Sequence, residues 1–248
     1  MARQKLGQHF LTKGSVLERI AAACSPPGQA LDAVIEIGPG RGALTARLLQ
    51  RSRRVIAIEL DSYLAGHLRA RFAAEPRLEI VEADALETDL GQWGALPIAG
   101  NLPYYAATAI IGKVVRLGPP RAVFLIQNEV ADRLAALPGS RDYGFLTVAT
   151  ALFAEARKLF EVKPSAFHPP PKVDSAVVLL EPRAERWGVG DPDAFLRFAS
   201  LCFRQKRKTL RNNLAETYGP AVDGWPEAGM RAEQIPLAGL LEMYRRLP

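Results

Sequence analysis

The sequence predicts an α/β fold: a mostly parallel, doubly wound sheet that ends in an antiparallel edge hairpin and is followed by a small helical domain. Three observations carry this. From about residue 15 to residue 182, short apolar runs alternate with helical patterns, as strands joined by crossover helices do. Two later strand candidates, residues 158–162 and 175–181, are joined by a Pro-rich stretch from Lys163 to Lys172 with no room for a crossover helix, so they should pair antiparallel. Beyond residue 191 the pattern is helical only.

Taken in order, Ser15 and Glu18 read as a capping box that opens a helix, and Ser25-Pro26-Pro27-Gly28 ends it. Residues 34–37 form a buried strand, and residues 54–59 a second built on Val55, Ile56 and Ile58. Asp61 can cap a helix containing Leu64, Leu68 and Phe72, which stops before Pro76. Strands follow at 78–81, 97–100 and 122–126, with helices at 43–50, 108–117 and 129–137. Residues 185–191, with Gly188 and Gly190, read as a linker, and Asp191-Pro192 supplies a cap and an N1 proline for the next helix. Its apolar stripe is Phe195, Leu196, Phe198, Ala199, Cys202 and Phe203; Leu240, Leu241, Tyr244 and Leu247 form another after Pro236. The division expected is a domain over residues 1–182 and a small helical domain over residues 191–248.

Composition narrows the classes of function. The 248 residues are 48% apolar and 23% charged, ordinary for a soluble globular protein, and the net charge of +6 favours a polyanionic partner. Cys24 and Cys202 stand apart with no Cys/His cluster, which argues against a metal site and for two buried thiols in a reducing compartment. The first eight residues lack a signal-peptide core and no stretch approaches the ~20 apolar residues of a membrane span, so a cytoplasmic protein, without a membrane partner and monomeric, is expected.

Two motifs carry chemistry. Glu36-Ile37-Gly38-Pro39-Gly40-Arg41-Gly42 closes the first strand as a turn with little side-chain bulk, open to a nucleotide-like ligand. Glu59 ends the second strand, where a carboxylate accepts ribose hydroxyls, and Asp84 follows the third, where it can accept from an adenine amino group. Gly38, Gly40 and Ala43 also fit a loose dinucleotide fingerprint, which makes an oxidoreductase the rival reading. Glu36 weakens it by placing a charge where such folds pack apolar groups.

Asn101-Leu102-Pro103-Tyr104 follows the fourth strand. The amino group of an aromatic base is a poor nucleophile, because its lone pair is delocalised into the ring. The Asn101 side-chain oxygen and the Leu102 carbonyl can hold its two N–H groups and favour the tetrahedral form. Pro103 stiffens the turn, and Tyr104 can stack on the base, worth ~1–3 kcal/mol.

The mostly parallel sheet with an antiparallel end is the arrangement of Rossmann-like methyltransferases. Gly7-Gln8-His9-Phe10-Leu11, the glycine turn, Asn101-Leu102-Pro103-Tyr104 and the run from Ser165 through Phe167 and His168 to Val177 together resemble the bacterial small-subunit ribosomal RNA adenine dimethyltransferases. The similarity resumes from Phe203 to Leu214. The resemblance implies S-adenosylmethionine as methyl donor, no metal, and N6 of two adjacent adenosines near the 3′ end of small-subunit ribosomal RNA as acceptors, free or in an assembling subunit. It implies a cofactor site of His9, Leu11, Gly38, Gly40, Glu59, Asp84 and Asn101, catalysis by the 101–104 motif, and Phe167 stacking on the base opposite Tyr104. His9 stands where similar proteins have His or Asn, so a backbone or polar contact is expected of it. Tyr105-Ala106-Ala107-Thr108 departs from the more usual Asn-Ile-Ser-Thr.

Arg197, Arg204, Lys206, Arg207, Lys208 and Arg211 lie within 22 residues that hold no acid, from Ala194 to Ala215, and Arg3, Lys5 and Lys13 add to the N-terminal arm. Beside a base-binding site such a run is expected to contact RNA backbone, with Arg204, Lys208 and Arg211 on one helix face. The alternatives are a large-subunit methyltransferase of the resistance type and a non-catalytic assembly or transcription factor of the same fold.

Overall fold

The computed structural model describes residues 9–26, 28–183 and 187–247. Gly7, Gln8, Arg3, Lys5, Pro27 and residues 185–186 of the expected linker lie outside the described residues. The chain runs β1 (Phe10–Leu11), α1 (Gly14–Ala23), β2 (Val34–Ile37), α2 (Ala43–Leu48), β3 (Val55–Glu59), α3 (Ser62–Arg71), β4 (Leu78–Glu82), β5 (Ile98–Asn101), α4 (Ala107–Leu117), β6 (Ala122–Gln127), α5 (Asn128–Leu134), α6 (Phe145–Ala151), β7 (Ala154–Val162), β8 (Phe167–His168), β9 (Ser175–Pro182), α7 (Pro192–Cys202), α8 (Leu210–Tyr218) and α9 (Leu237–Arg245).

Two compact units share it: Met1–Ala131 with Ala154–Pro182, and Asp132–Phe153 with Arg183–Pro248. Residues 132–153, which the sequence division gave to the first domain, thus group with the helical part. Helix α6 supplies Val148 to that unit's apolar core, an element the sequence analysis did not mark.

The first unit is a seven-stranded sheet in the order β4-β3-β2-β5-β6-β9-β7. The first five strands are parallel, and β9 lies antiparallel to both β6 and β7. Strands β3 and β6 read as apolar runs up to their polar last residues, Glu59 and Gln127, because they are buried on both faces, and β2 is apolar but for Glu36. The antiparallel end is present as expected, although β7 starts at Ala154 rather than Lys158 and carries a bulge between Lys158 and Phe160. Gly100 lets β5 lie close to β2: a Cβ there would stand 2.4 Å from the Ile37 carbonyl oxygen. A separate two-stranded sheet pairs β1 with β8 antiparallel, Phe10 opposite His168 and Leu11 opposite Phe167.

The capping box expected at Ser15 is absent. Helix α1 begins at Gly14 after Lys13, and no side chain caps it. Glu18 instead turns to Arg51, whose Nε donates to it at 3.1 Å. Asp61 does cap α3, accepting from the N–H groups of Tyr63 at 2.9 Å and Leu64 at 3.3 Å. Cys24 and Cys202 are buried free thiols, and burial pushes each up to about 12.

The second unit packs an aromatic core of Phe195, Phe198, Tyr218, Trp225 and Tyr244. Its basic run is not one helix face. Helix α7 ends at Cys202 and α8 begins at Leu210 under a Thr209 cap, so Arg204 to Lys208 occupy the turn between them. Asn213, only 2% exposed, fixes that turn by donating to the carbonyls of Cys202 (2.8 Å) and Gln205 (3.2 Å) and accepting from the Gln205 N–H. A hydrogen-bonded turn was available here, and the buried amide selected it over a continuous helix.

Candidate active site

The carboxyl ends of β2, β3 and β5, with the turn after β4, open onto one cavity of about 540 Å³ in the first unit. Its wall includes His9, Leu11, Gly38, Gly40, Glu59, Asp84, Asn101, Leu102, Pro103 and Tyr104, so ten of the residues singled out from the sequence are brought together.

At one end lies the glycine turn. Gly38, Gly40 and Gly42 have φ of 69°, 58° and 80°, left-handed values that favour glycine. Gly40 has a second constraint, since a Cβ would sit 3.2 Å from the Phe10 ring of β1. Glu59, 5% exposed, accepts the Gly40 N–H at 2.9 Å on one oxygen and the Asp61 N–H at 3.0 Å on the other. Burial raises its pKa, and those two backbone bonds oppose the rise. Asp84 accepts the Leu86 N–H at 2.8 Å on one oxygen. Leu60, 52% exposed, also borders the cavity, just beyond Glu59.

Glu36 corrects an expectation. It is 1% exposed and accepts the Thr45 hydroxyl at 2.6 Å, and burial pushes its carboxyl up to about 8. Burial thus favours the neutral carboxyl over the charge expected there.

At the other end, Asn101 is the last residue of β5. Its Nδ2 donates to the His9 carbonyl at 3.1 Å, which fixes the flip of the amide and leaves Oδ1 as the acceptor. The Leu102 N–H donates to the Leu125 carbonyl at 3.1 Å, and among the described residues the Leu102 carbonyl receives no hydrogen bond. Tyr104 shares a 2.8 Å hydrogen bond with the hydroxyl of Ser175, a fully buried residue at the start of β9. Burial raises the Tyr104 pKa, so its phenol is neutral. The His9 ring lies 5.9 Å from the Tyr104 ring, and its Nδ1 donates to the Pro169 carbonyl at 2.8 Å. The His9 backbone thus meets Asn101, and its ring side meets Pro169.

Phe167 is not on the cavity wall. It is 5% exposed and packs in the core with Leu11, Leu17 and Val177, while its neighbour His168 borders the cavity. Strand alternation accounts for this: in β8 successive side chains face opposite ways, and pairing with Leu11 turns Phe167 inward. Ser175 and Leu60 were missed. Leu60 could have been found as the apolar residue following the strand-end carboxylate; nothing in sequence marked Ser175 as a partner for Tyr104.

The basic residues of the second unit are exposed, but several are already paired. Arg204 bonds Glu216 at 2.7 Å, Arg211 bonds Asp223 at 3.1 Å, and Lys206 donates to the Arg141 carbonyl. Among the described residues Arg207 and Lys208 have no acidic partner within ion-pair distance.

A family model described as ribosomal RNA adenine dimethylase matches residues 1–247. The chain belongs to that family. This chain is 43% identical to the ribosomal RNA small subunit methyltransferase A of Acidobacterium capsulatum over 99% of its length and 91% of that one. It is likewise 43% identical to the protein of that name from Geobacter sulfurreducens, over 93% and 84%. Among solved structures, a dimethyladenosine transferase from Plasmodium falciparum superposes with a TM-score of 0.79 at 28% identity, covering 96% of this chain and 98% of the other. The 23S rRNA methyltransferase ErmE follows with a TM-score of 0.71 at 29% identity over 96% and 99%. The fold of the chain is thus that of the class I methyltransferases. No helix among the described residues is long and apolar enough to cross a membrane, and the described residues hold no cluster of metal-ligating side chains.

Proposed function

We propose that this protein transfers methyl groups from S-adenosylmethionine to N6 of two adjacent adenosines near the 3′ end of small-subunit ribosomal RNA. The observation that carries the reading is the Asn101 amide, turned by the His9 carbonyl so that its acceptor oxygen is free at a cavity that also holds Glu59 and Asp84. The curated relatives bear the small-subunit name at 37–43% identity, above the 29% of the large-subunit enzyme, which favours the small-subunit acceptor.

The residues present fit the donor molecule. Each oxygen of Glu59 holds one backbone N–H and keeps a lone pair for a ribose hydroxyl, and Asp84 keeps one carboxylate oxygen for an adenine amino group. The bare Gly38 and Gly40 let backbone touch the methionine part, with His9 and Leu11 closing the site. The bound donor supplies a methyl group on a sulfonium, which carries its own activation.

The remaining work is positioning. Asn101 Oδ1 and the Leu102 carbonyl accept from the two N6–H groups and favour the tetrahedral nitrogen, whose lone pair is less delocalised into the ring. Pro103 keeps the turn rigid, and Tyr104 stacks on the base with its hydroxyl tethered to Ser175. The bound donor would supply the methyl group to the nitrogen so held, and the methylated nitrogen would then shed a proton to solvent without a general base. A monomethylated amine keeps one N–H for Asn101 or Leu102, so a second round is possible. The target adenine must leave its stack to enter.

Incubation with labelled S-adenosylmethionine and small-subunit ribosomal RNA, free or in assembling subunits, should give dimethyladenosine at two adjacent positions near the 3′ end. Methylation only of large-subunit RNA, or none, would sink this assignment. The basic turn is the proposed RNA backbone contact: Arg204, Lys206, Arg207, Lys208 and Arg211. Replacing Arg207 and Lys208 by Gln should weaken RNA binding and reduce its salt slope by about two, because these side chains are free to meet phosphate. An unchanged slope would return the turn to an ordinary solvated surface.

A further inference from the structure

With Phe167 in the core, two consecutive aromatic rings serve the Asn101 end of the cavity, and they differ. Tyr104 is half-buried and pinned through its hydroxyl to Ser175. Tyr105 borders the same cavity yet is 65% exposed, so its ring stands at the mouth. The backbone beneath it is held firmly, since the N–H groups of Ala106 and Ala107 both donate to the Pro103 carbonyl at 3.0 Å as α4 begins. Among the described residues its hydroxyl has no hydrogen-bond partner. Single exposed apolar residues are ordinary on a protein surface. A rigidly mounted one on the rim of a base pocket, one residue from the ring that faces the base, is not.

Drawing a base out of a strand bares a face of the base beside it, and that lost stacking opposes extrusion. An exposed ring at the pocket entrance can cover the bared face, and any base offers a π-face to it. We propose that Tyr105 is a second nucleobase subsite, a platform on which the nucleotide next to the target stacks while the target occupies the pocket. The proposal rests on the RNA adenine reading above. If the two acceptors are adjacent, the base on the platform in one round is the base in the pocket in the other, so Tyr105 also helps the RNA move by one nucleotide between rounds.

The test uses the full chain and a short hairpin RNA carrying two adjacent adenosines, with 2-aminopurine replacing either one as a fluorescent reporter. Binding to the unaltered enzyme should quench the reporter; Tyr105→Ala should leave it bright, and Tyr105→Phe should quench it. With unlabelled RNA, Tyr105→Ala should raise the KM for RNA about tenfold while the KM for S-adenosylmethionine stays put, and Tyr105→Phe should restore it. Reporter quenching unaffected by Tyr105→Ala would overturn the platform, as would a rise confined to the KM for S-adenosylmethionine. Methyl transfer by the unaltered enzyme with no Tyr105 effect removes the platform alone. No methyl transfer to any ribosomal RNA removes the reading beneath it.

Discussion

The two ends of the cavity are held by different kinds of contact. At the glycine turn the supports are near in sequence: Thr45 reaches Glu36 across 9 residues and Gly40 reaches Glu59 across 19. At the Asn101 turn they are remote, with His9 92 residues away and Ser175 71 residues away. The first end is built by parallel strands that place their last residues side by side, so the sheet alone assembles it. The second needs β1 and β9 to arrive from opposite ends of the unit before its amide and its ring are oriented. A site for a common nucleotide can be made locally, whereas the geometry that selects one base and one nitrogen depends on the completed fold.

Four substitutions test this contrast. Asn101→Ala should have the largest effect: transfer falls by about 10²-fold or more while S-adenosylmethionine affinity is only modestly reduced, read from labelled-methyl transfer and a binding titration. Equal losses in both would mean the two ends do not separate. Glu36→Gln addresses the glycine end through pH. The folded carboxyl titrates at about 8 against an ordinary value of 4.5, so the folded state keeps a proton that the unfolded chain releases. The stability linked to Glu36 is fully present below about pH 4.5 and is lost as pH rises through about 8. The Gln variant cannot titrate there, so its Tm should overtake that of the unaltered protein by a few degrees at about pH 9; parallel Tm profiles would show that Glu36 is ionised when folded. Ser175→Ala should be the mildest, lowering kcat/KM for RNA about fivefold, the worth of one hydrogen bond. Tyr104→Phe should match it, and the double variant should lose no more than either single one. Additive losses would show that Ser175 acts other than through Tyr104.

The same contrast explains what could be read in advance. Glu59, Asp84 and Asn101 were legible because each closes or follows an apolar run, and in a parallel sheet strand ends converge on one edge. Asp61 was legible because its side chain bonds N–H groups two and three residues on. Ser15 carries the same cap signature, yet α1 starts before it and Glu18 is taken by Arg51 in another element. The inward turn of Phe167 follows from pairing with Leu11, more than 150 residues earlier in the chain, and no local pattern records that. Glu36 was seen, but its protonation depends on how deeply the finished sheet buries it. The break in the basic run required knowing that Asn213 folds back on Cys202 and Gln205.

Strand β1 has only two residues, yet it meets both ends: the Phe10 ring lies against Gly40, and the carbonyl of the preceding His9 holds Asn101. Whatever settles the ring of Phe10 also settles the peptide next to it. A methyl donor and a nucleic acid held at the two ends, as proposed above, would be linked energetically through one short segment, and such linkage is reciprocal: the factor by which the donor tightens RNA binding equals the factor by which RNA tightens donor binding.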